Sequence, residues 1–186
     1  MKEPDTEGHI RILPPELARK IAAGEVVDRP AALVRELTDN AIDAGADQIE
    51  LSIENGGIRR VELTDNGCGM NRTDLELCRH PHATSKISSI ADLESAETLG
   101  FRGEALAAVA AVANLEILSS IDGREGWMLR SKASEAGVQN GRPAQLERSQ
   151  RARGTSVRVL GLFDSIPARK KFLKREASEA LLCKQA

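Results

Sequence analysis

At 186 residues, with 41% hydrophobic and 29% charged side chains, the chain has the length and balance of one globular domain with its own core, and not of a disordered segment. A net charge of −2 neither demands nor excludes a nucleic acid partner. No apolar run approaches the ~20 residues of a membrane helix, residues 1–8 lack the basic and apolar regions of a secretory signal, and Cys68, Cys78 and Cys183 form no paired framework, so no membrane contact and a cytoplasmic protein with reduced thiols are expected.

Residues 1–9 are polar and are expected to form a flexible tail, with one domain over 10–186. Pro15 suits the first position of a short helix over 15–23, with Gly24 just past its end. Pro30 opens a second helix running to Ala44 and Gly45, with Leu33, Leu37, Ala41 and Ala44 at helical spacing. Ile49, Leu51 and Ile53 alternate with polar residues, Asn55-Gly56-Gly57 is a turn, and Val61, Leu63 and Asp65 alternate again, which predicts a hairpin. Asn71 is placed to cap a helix to about Arg79. Residues 80–100 have the composition of a loop, and Glu104 to Ala113 that of an Ala-rich helix. Strands are predicted over Leu115–Ser120, Gly126–Ser131 and Thr155–Leu160, with a polar, turn-rich stretch over 133–150. A single helix is predicted from Pro167 to about Cys183, burying Phe172, Leu173, Ala177, Ala180 and Leu181. Hairpins interspersed with helices predict an α+β fold with helices on one face of a mixed, mostly antiparallel sheet.

Several segments carry chemistry. On the second helix Asn40 lies about 40° and Asp43 about 20° to either side of Glu36, so one narrow stripe holds two carboxylates and an amide. That pattern suits a base and a metal ligand one turn apart, although a solvated stripe beside the core has the same appearance. Asp65 shares its strand face with Val61 and Leu63, and a carboxylate in that position is costly unless bonded. Gly67 and Gly69 follow it, so the group suits either a tight Asx turn or an acceptor for an amino group on a flat base. Gly100-Phe101-Arg102-Gly103-Glu104-Ala105-Leu106 opens a helix whose free N–H groups suit an anion. Neither a dinucleotide fingerprint nor a Gly-Lys-Ser/Thr phosphate loop is present. Between Arg148 and Arg175 stand nine Lys or Arg and the single acid Asp164, an asymmetry that suits an anionic partner such as DNA, although a solvated basic face on a strand and a helix has the same appearance. Cys78, His80 and His82 match no common zinc spacing.

Taken together the segments resemble a known family. Glu36-Leu-Thr-Asp-Asn40-Ala-Ile-Asp43-Ala44 resembles the first motif of the GHKL superfamily, Asp65-Asn-Gly67-Cys-Gly69 its second and Gly154-Thr155 its last. Gly100 to Leu106 matches the GFRGEAL signature of the MutL mismatch-repair family. Ile21 to Val27, His82-Ala-Thr-Ser-Lys86 and Pro167 to Phe172 are similar to MutL segments too. The likeness runs from about Ile10 to Leu173.

That resemblance implies a Bergerat-type two-layer sandwich that binds ATP and Mg²⁺ and hydrolyses the nucleotide. Glu36 would activate the attacking water. Asn40 would hold Mg²⁺, with Asp43 beside it. Asp65 would bind the adenine amino group, with Gly67, Gly69 and Thr155 around the base. Thr84, Ser85 and Lys86 would belong to a lid over the nucleotide, and Gly100, Phe101, Arg102, Gly103, Glu104, Ala105 and Leu106 would cradle the phosphates. In the family, hydrolysis switches conformation and dimerisation, coupling a mismatch-recognition protein of the MutS type to a downstream nuclease or helicase. The family continues into a second domain that supplies a lysine to the γ-phosphate and a C-terminal dimerisation domain, neither of which fits within 186 residues. A homodimer is therefore implied for the full-length protein, and a monomer with weak turnover for this chain. A nucleotide-gated binding module without significant turnover, or another GHKL ATPase such as a topoisomerase fragment, stands as the alternative.

Overall fold

Two proline-opened helices begin the fold. In the computed structural model, which describes residues 11–86, 103–133 and 145–186, α1 spans Pro15–Val26 and α2 spans Pro30–Asp43. Each proline sits where a backbone N–H would find no helical partner. Gly24 lies inside α1, not past its end. It is buried, and a Cβ there would stand 2.8 Å from Arg169 Nη2, so its smallness admits a guanidinium against the helix flank.

The chain then forms β1 (Ile49–Glu54), a 3₁₀ turn at Asn55–Gly57 and β2 (Arg60–Asp65). Helix α3 (Arg72–Leu77) is capped by Asn71, whose side chain accepts from Asp74 N–H at 2.8 Å. There follow α4 (Ala105–Val112), β3 (Asn114–Ser120), β4 (Gly126–Ser131), β5 (Gln145–Ser149), β6 (Gly154–Leu160), α5 (Pro167–Lys170) and α6 (Glu176–Gln185). The strands form one six-stranded sheet in the order β1-β2-β6-β3-β4-β5, and every pairing among the described residues is antiparallel. With helices packed on one face, this is the expected α+β sandwich of the GHKL fold.

Register builds the core in layers. Val61 of β2 stands opposite Val159 of β6, which stands opposite Leu115 of β3, and all three are buried. The next layer is Leu63, Val157 and Ile117. Leu33, Val34 and Leu37 of α2, with Val109 and Val112 of α4, close over them. Each fully buried aliphatic side chain contributes roughly 1.5–3 kcal/mol. The third layer keeps the same facing but changes chemistry to Asp65, Thr155 and Ser119, also buried.

The opposite face of the sheet is charged. Arg158 Nη2 donates to Glu62 at 2.8 Å and its Nη1 to Glu116 at 3.1 Å, while Arg60 Nη1 meets Glu62 at 2.6 Å and Arg130 Nε lies 3.6 Å from Glu116. The bond from Arg158, with the nearby positive charges, holds the Glu62 carboxyl below its ordinary pKa despite partial burial. Alternating sign between neighbouring strands makes this ladder a stable covering for an unpacked face.

Two further expectations from the sequence fail. Residues 145–149 form an edge strand instead of turn-rich loop, because backbone pairing with β4 supplies what their polar side chains do not. The helix predicted from Pro167 breaks between α5 and α6. Glu179, fully buried on α6, accepts from Lys174 N–H at 2.8 Å and so starts a new helix in a new rotational phase. Phe172 is consequently 82% exposed and Leu181 56% exposed, and Cys183 takes the buried place instead. The expected tail over 1–9 and most of the loop at 87–100 lie outside the described residues.

Candidate functional site

Asp65 and Thr155 of the polar third layer line a cavity of about 850 Å³ among α2, the second half of α3, the His82–Lys86 segment and the sheet. Asp65 closes β2 there. Its Oδ1 accepts from Gly67 N–H at 2.9 Å and from Thr155 N–H at 3.2 Å, while Oδ2 takes no hydrogen bond from a described residue. Asp65 thus makes the Asx turn its sequence suggests and still has an oxygen available. Thr155 Oγ1 lies 2.9 Å from Ser119 Oγ, which also accepts from Met70 N–H at 2.7 Å. This hydroxyl pair ties β6, β3 and the loop after β2 into one rigid floor.

The glycines of that loop serve packing as much as access. A Cβ on Gly67 would stand 2.8 Å from Ala44 Cβ at the end of α2, and one on Gly69 would stand 2.1 Å from the Ser120 carbonyl oxygen. Gly69 also has φ 72°, a conformation costly for other residues. The chain must squeeze between α2 and β3 at this point, which brings Gly69 and Met70 to the cavity wall.

Another part of the lining is ionic. Lys86 Nζ donates to Asn40 Oδ1 at 3.2 Å and forms an ion pair with Asp43 Oδ2. Lys86 N–H donates to Thr84 Oγ1 at 3.1 Å, which shapes the turn that carries the ammonium inward. Leu37, Ala41, Val157, Met70 and Leu106 add apolar surface to the lining. Cys78 also lines the cavity. Its thiol donates to Leu75 O at 3.2 Å, and burial pushes its pKa up to about 12, so it stays protonated.

Of the residues singled out from sequence, Asn40, Asp43, Asp65, Gly69, Thr84, Ser85, Lys86, Leu106 and Thr155 line this one cavity. Glu36 stands one turn before Asn40 on α2, half-buried and outside the lining, and Gly67 lies behind Asp65. Gly103, Glu104 and Ala105 lead into α4 next to the His82–Ala83 segment. A Cβ on Gly103 would meet Ala83 O at 2.6 Å, and Glu104 Oε1 lies 3.8 Å from His82 Nδ1. Gly100, Phe101 and Arg102 lie outside the described residues.

Sequence reasoning missed Ser119, Met70 and Arg151. The only signal for Ser119 is its cross-strand register with Thr155. Arg151 belongs to the basic run, but the run is split among unlike surroundings. Arg158 sits in the ion-pair ladder, Lys170 pairs with Asp164, and Arg169 packs on Gly24. Arg148 lies 5.4 Å from the Trp127 ring, on which Arg72 also stacks at 5.1 Å. Arg151 donates to Asp65 O.

Among the described residues no helix is long and apolar enough to cross a membrane. Residues 25–162 match the family model described as histidine kinase-, DNA gyrase B- and HSP90-like ATPase. A DNA mismatch repair protein MutL of Treponema pallidum is 49% identical over 190 residues, covering 95% of this chain and 30% of the relative. The MutL of Borrelia garinii is 46% identical, covering 94% of this chain and 27% of its own length. The chain therefore spans less than a third of these curated relatives. Among solved structures, the N-terminal domain of a DNA repair protein superposes with TM-score 0.72 at 29% identity, over 90% of this chain and 46% of that one. The Aquifex aeolicus MutL ATPase domain complexed with ADP superposes with TM-score 0.63 at 26% identity, over 86% of this chain and 53% of that one. The chain belongs to the histidine kinase-, DNA gyrase B- and HSP90-like ATPase family, and its likeness within that family runs to the MutL proteins.

Proposed function

We propose that the chain is the nucleotide-binding and hydrolysing domain of a MutL-type mismatch-repair protein, with Mg-ATP as its ligand. The carrying observation is the cavity itself: its lining combines a carboxylate with one oxygen that takes no hydrogen bond from a described residue, apolar side chains, and two oxygen ligands already holding a cation. An adenine amino group suits Asp65 Oδ2, and the ring suits the surface of Ala41, Met70 and Val157.

The Mg²⁺ fit rests on the chemistry of the donors. Asn40 Oδ1 and Asp43 Oδ2 are hard oxygens directed at one point, where the Lys86 ammonium now sits. Asn40 would hold the metal, with Asp43 beside it. When bound, the ion would neutralise developing charge on the phosphates. Lys86 would leave Asn40 and turn toward the nucleotide together with Thr84 and Ser85. The N-terminus of α4, preceded by Gly100 to Glu104, is suited to phosphate oxygens. Glu36, one turn from Asn40, would accept a proton from the attacking water.

The MutL relatives are DNA mismatch repair proteins by name. On that basis ATP turnover in the whole protein would switch conformation and dimerisation, passing a signal from a MutS-type mismatch-recognition protein to a nuclease or helicase. DNA would be contacted by exposed members of the 148–175 run, such as Arg148, Lys171 and Lys174. The position of Glu36 outside the cavity lining favours a second reading, in which nucleotide gates partner binding with little turnover. One experiment tests both: Mg-ATP affinity and phosphate release for the wild-type chain and Glu36→Gln. The ATPase reading expects binding within about threefold of wild type and turnover down by about a hundredfold or more in Glu36→Gln. Equal turnover in the two proteins removes Glu36 as the base, and absence of Mg-ATP binding to the wild type removes the reading.

A further inference from the structure

Arg151 belongs to the basic run that sequence alone fits to a solvated face or an anionic partner, yet its guanidinium turns inward. Nη2 donates to the main-chain oxygen of Asp65 at 2.7 Å, and Nη1 donates to Ser156 Oγ. Ser156 Oγ lies 2.8 Å from Thr64 Oγ1. Strand alternation puts Thr64 and Ser156 on the charged face of the sheet, opposite Asp65 and Thr155. One side chain therefore clasps the last residues of β2 from behind the cavity floor.

The arrangement is costly enough to ask what it accomplishes. Arg151 Nε is buried and has no hydrogen-bond partner among the described residues. Burial lowers the pKa of the guanidinium, and the Asp65 charge opposes that shift. A surface arginine with a DNA role would keep its charge in water.

What the clasp holds is the point at which β2 ends. Beyond Asp65 the chain leaves the sheet through Asn66 and Gly67, and a strand end of this kind frays unless it is tied. The carboxylate of Asp65 can meet a base edge only if its backbone stays fixed, since small displacements of a recognition group are expensive. From the cavity side, Gly67 N–H and Thr155 N–H hold the Asp65 carboxylate. From the other side, Arg151 holds its carbonyl.

We propose that Arg151 is a positioning residue for base recognition, fixing the end of β2 so that Asp65 presents its carboxylate to an exocyclic amino group of a purine nucleotide. The proposal rests on the reading of Asp65 as the base contact given above. It makes Arg151 act on nucleotide selectivity without touching the nucleotide.

The test compares affinities of the 186-residue chain for Mg-ATP and for Mg-purine riboside triphosphate, which lacks the 6-amino group. Wild type, Arg151→Ala, Arg151→Lys and Asp65→Ala are measured, with Tm recorded for each. Arg151→Ala is expected to lose about tenfold in ATP affinity, as for a lost charge-assisted hydrogen bond, and to change by less than about twofold toward the purine analogue. Arg151→Lys keeps a donor for the Asp65 carbonyl and is expected to restore most of the preference for ATP. If Arg151→Ala does not fold, Arg151→Met, which keeps the packed stem, gives the same comparison. Equal losses toward both nucleotides, or an unchanged ATP preference in Arg151→Ala while Asp65→Ala loses it, would overturn the role of Arg151 alone. An ATP preference that survives Asp65→Ala would instead overturn the base-reading role of Asp65, and the proposal with it.

Discussion

The first two layers across β2, β6 and β3 and the third differ in chemistry although they share a face, a register and nearly complete burial. Val61, Val159 and Leu115, then Leu63, Val157 and Ile117, give dry apolar contact beneath α2 and α4. Asp65, Thr155 and Ser119 continue the pattern with groups that must be hydrogen-bonded to be tolerated there. They are bonded mainly to one another and to neighbouring backbone, and Asp65 Oδ2 takes no hydrogen bond from a described residue. One strand thus contributes to stability at Leu63 and, in the proposed reading, to recognition at Asp65, two residues later.

This contrast can be broken at either end. Leu63→Ala should be the larger thermodynamic change, costing about 2–5 kcal/mol in unfolding free energy through lost burial and a cavity. A denaturant midpoint that barely moved would mean the second layer is not tightly packed. Asp65→Ala should show the reverse balance, losing nucleotide affinity by about a hundredfold while destabilising the chain by less than Leu63→Ala does. Calorimetric titration beside thermal melting separates the two, and a variant that melts early yet binds ATP normally would reverse the comparison.

The sequence made the apolar layers and half of the polar one legible and concealed Ser119 and Arg151. Alternation of Val61, Leu63 and Asp65 places the carboxylate on the buried face directly. The stripe Glu36, Asn40 and Asp43 and the segment Gly100 to Leu106 are local patterns that survive without any fold. Ser119 lies in an unremarkable Ser-Ser pair, and its meaning comes from a neighbour 36 residues away in the chain, Thr155. Arg151 was absorbed into a run of charges because sequence records sign, not direction. The strand at 145–149 carries little hydrophobic signal, since an edge strand is held largely by backbone pairing. Phe172 misled for a related reason: the periodicity of an unbroken helix assigned it a buried phase that the break before α6 removed.

Ser119→Ala sharpens the comparison with an intermediate effect. It removes the acceptor for Met70 N–H and the partner of Thr155, so a loss of about 1–3 kcal/mol in stability is expected, with weakened ATP binding. Stability lost without any change in affinity would make the hydroxyl pair purely structural.

The smallest effect belongs to the charged face behind both layers. Because the folded-state pKa of Glu62 lies below its ordinary value, its contribution is present above the unfolded pKa and is lost as pH falls through the lowered folded value. Glu62→Gln should cost no more than about 1 kcal/mol at neutral pH, since Arg158 and Arg60 remain partly solvated, and the cost should shrink as the pH falls below that range. Chemical melts from pH 7 down to pH 3 measure this directly. A penalty that grew with acidification would place the stabilising charge elsewhere.

The central claim is that the polar layer reads an adenine edge, and the most direct measurement is the relative affinity of the wild-type chain for Mg-ATP and Mg-GTP at fixed ionic strength. The six-position oxygen of guanine would confront the Asp65 carboxylate, leaving a desolvated charge without its donor. ATP should therefore bind more tightly by about a hundredfold or more. Equal affinities for the two nucleotides would contradict the assignment of Asp65 and of the layer built around it.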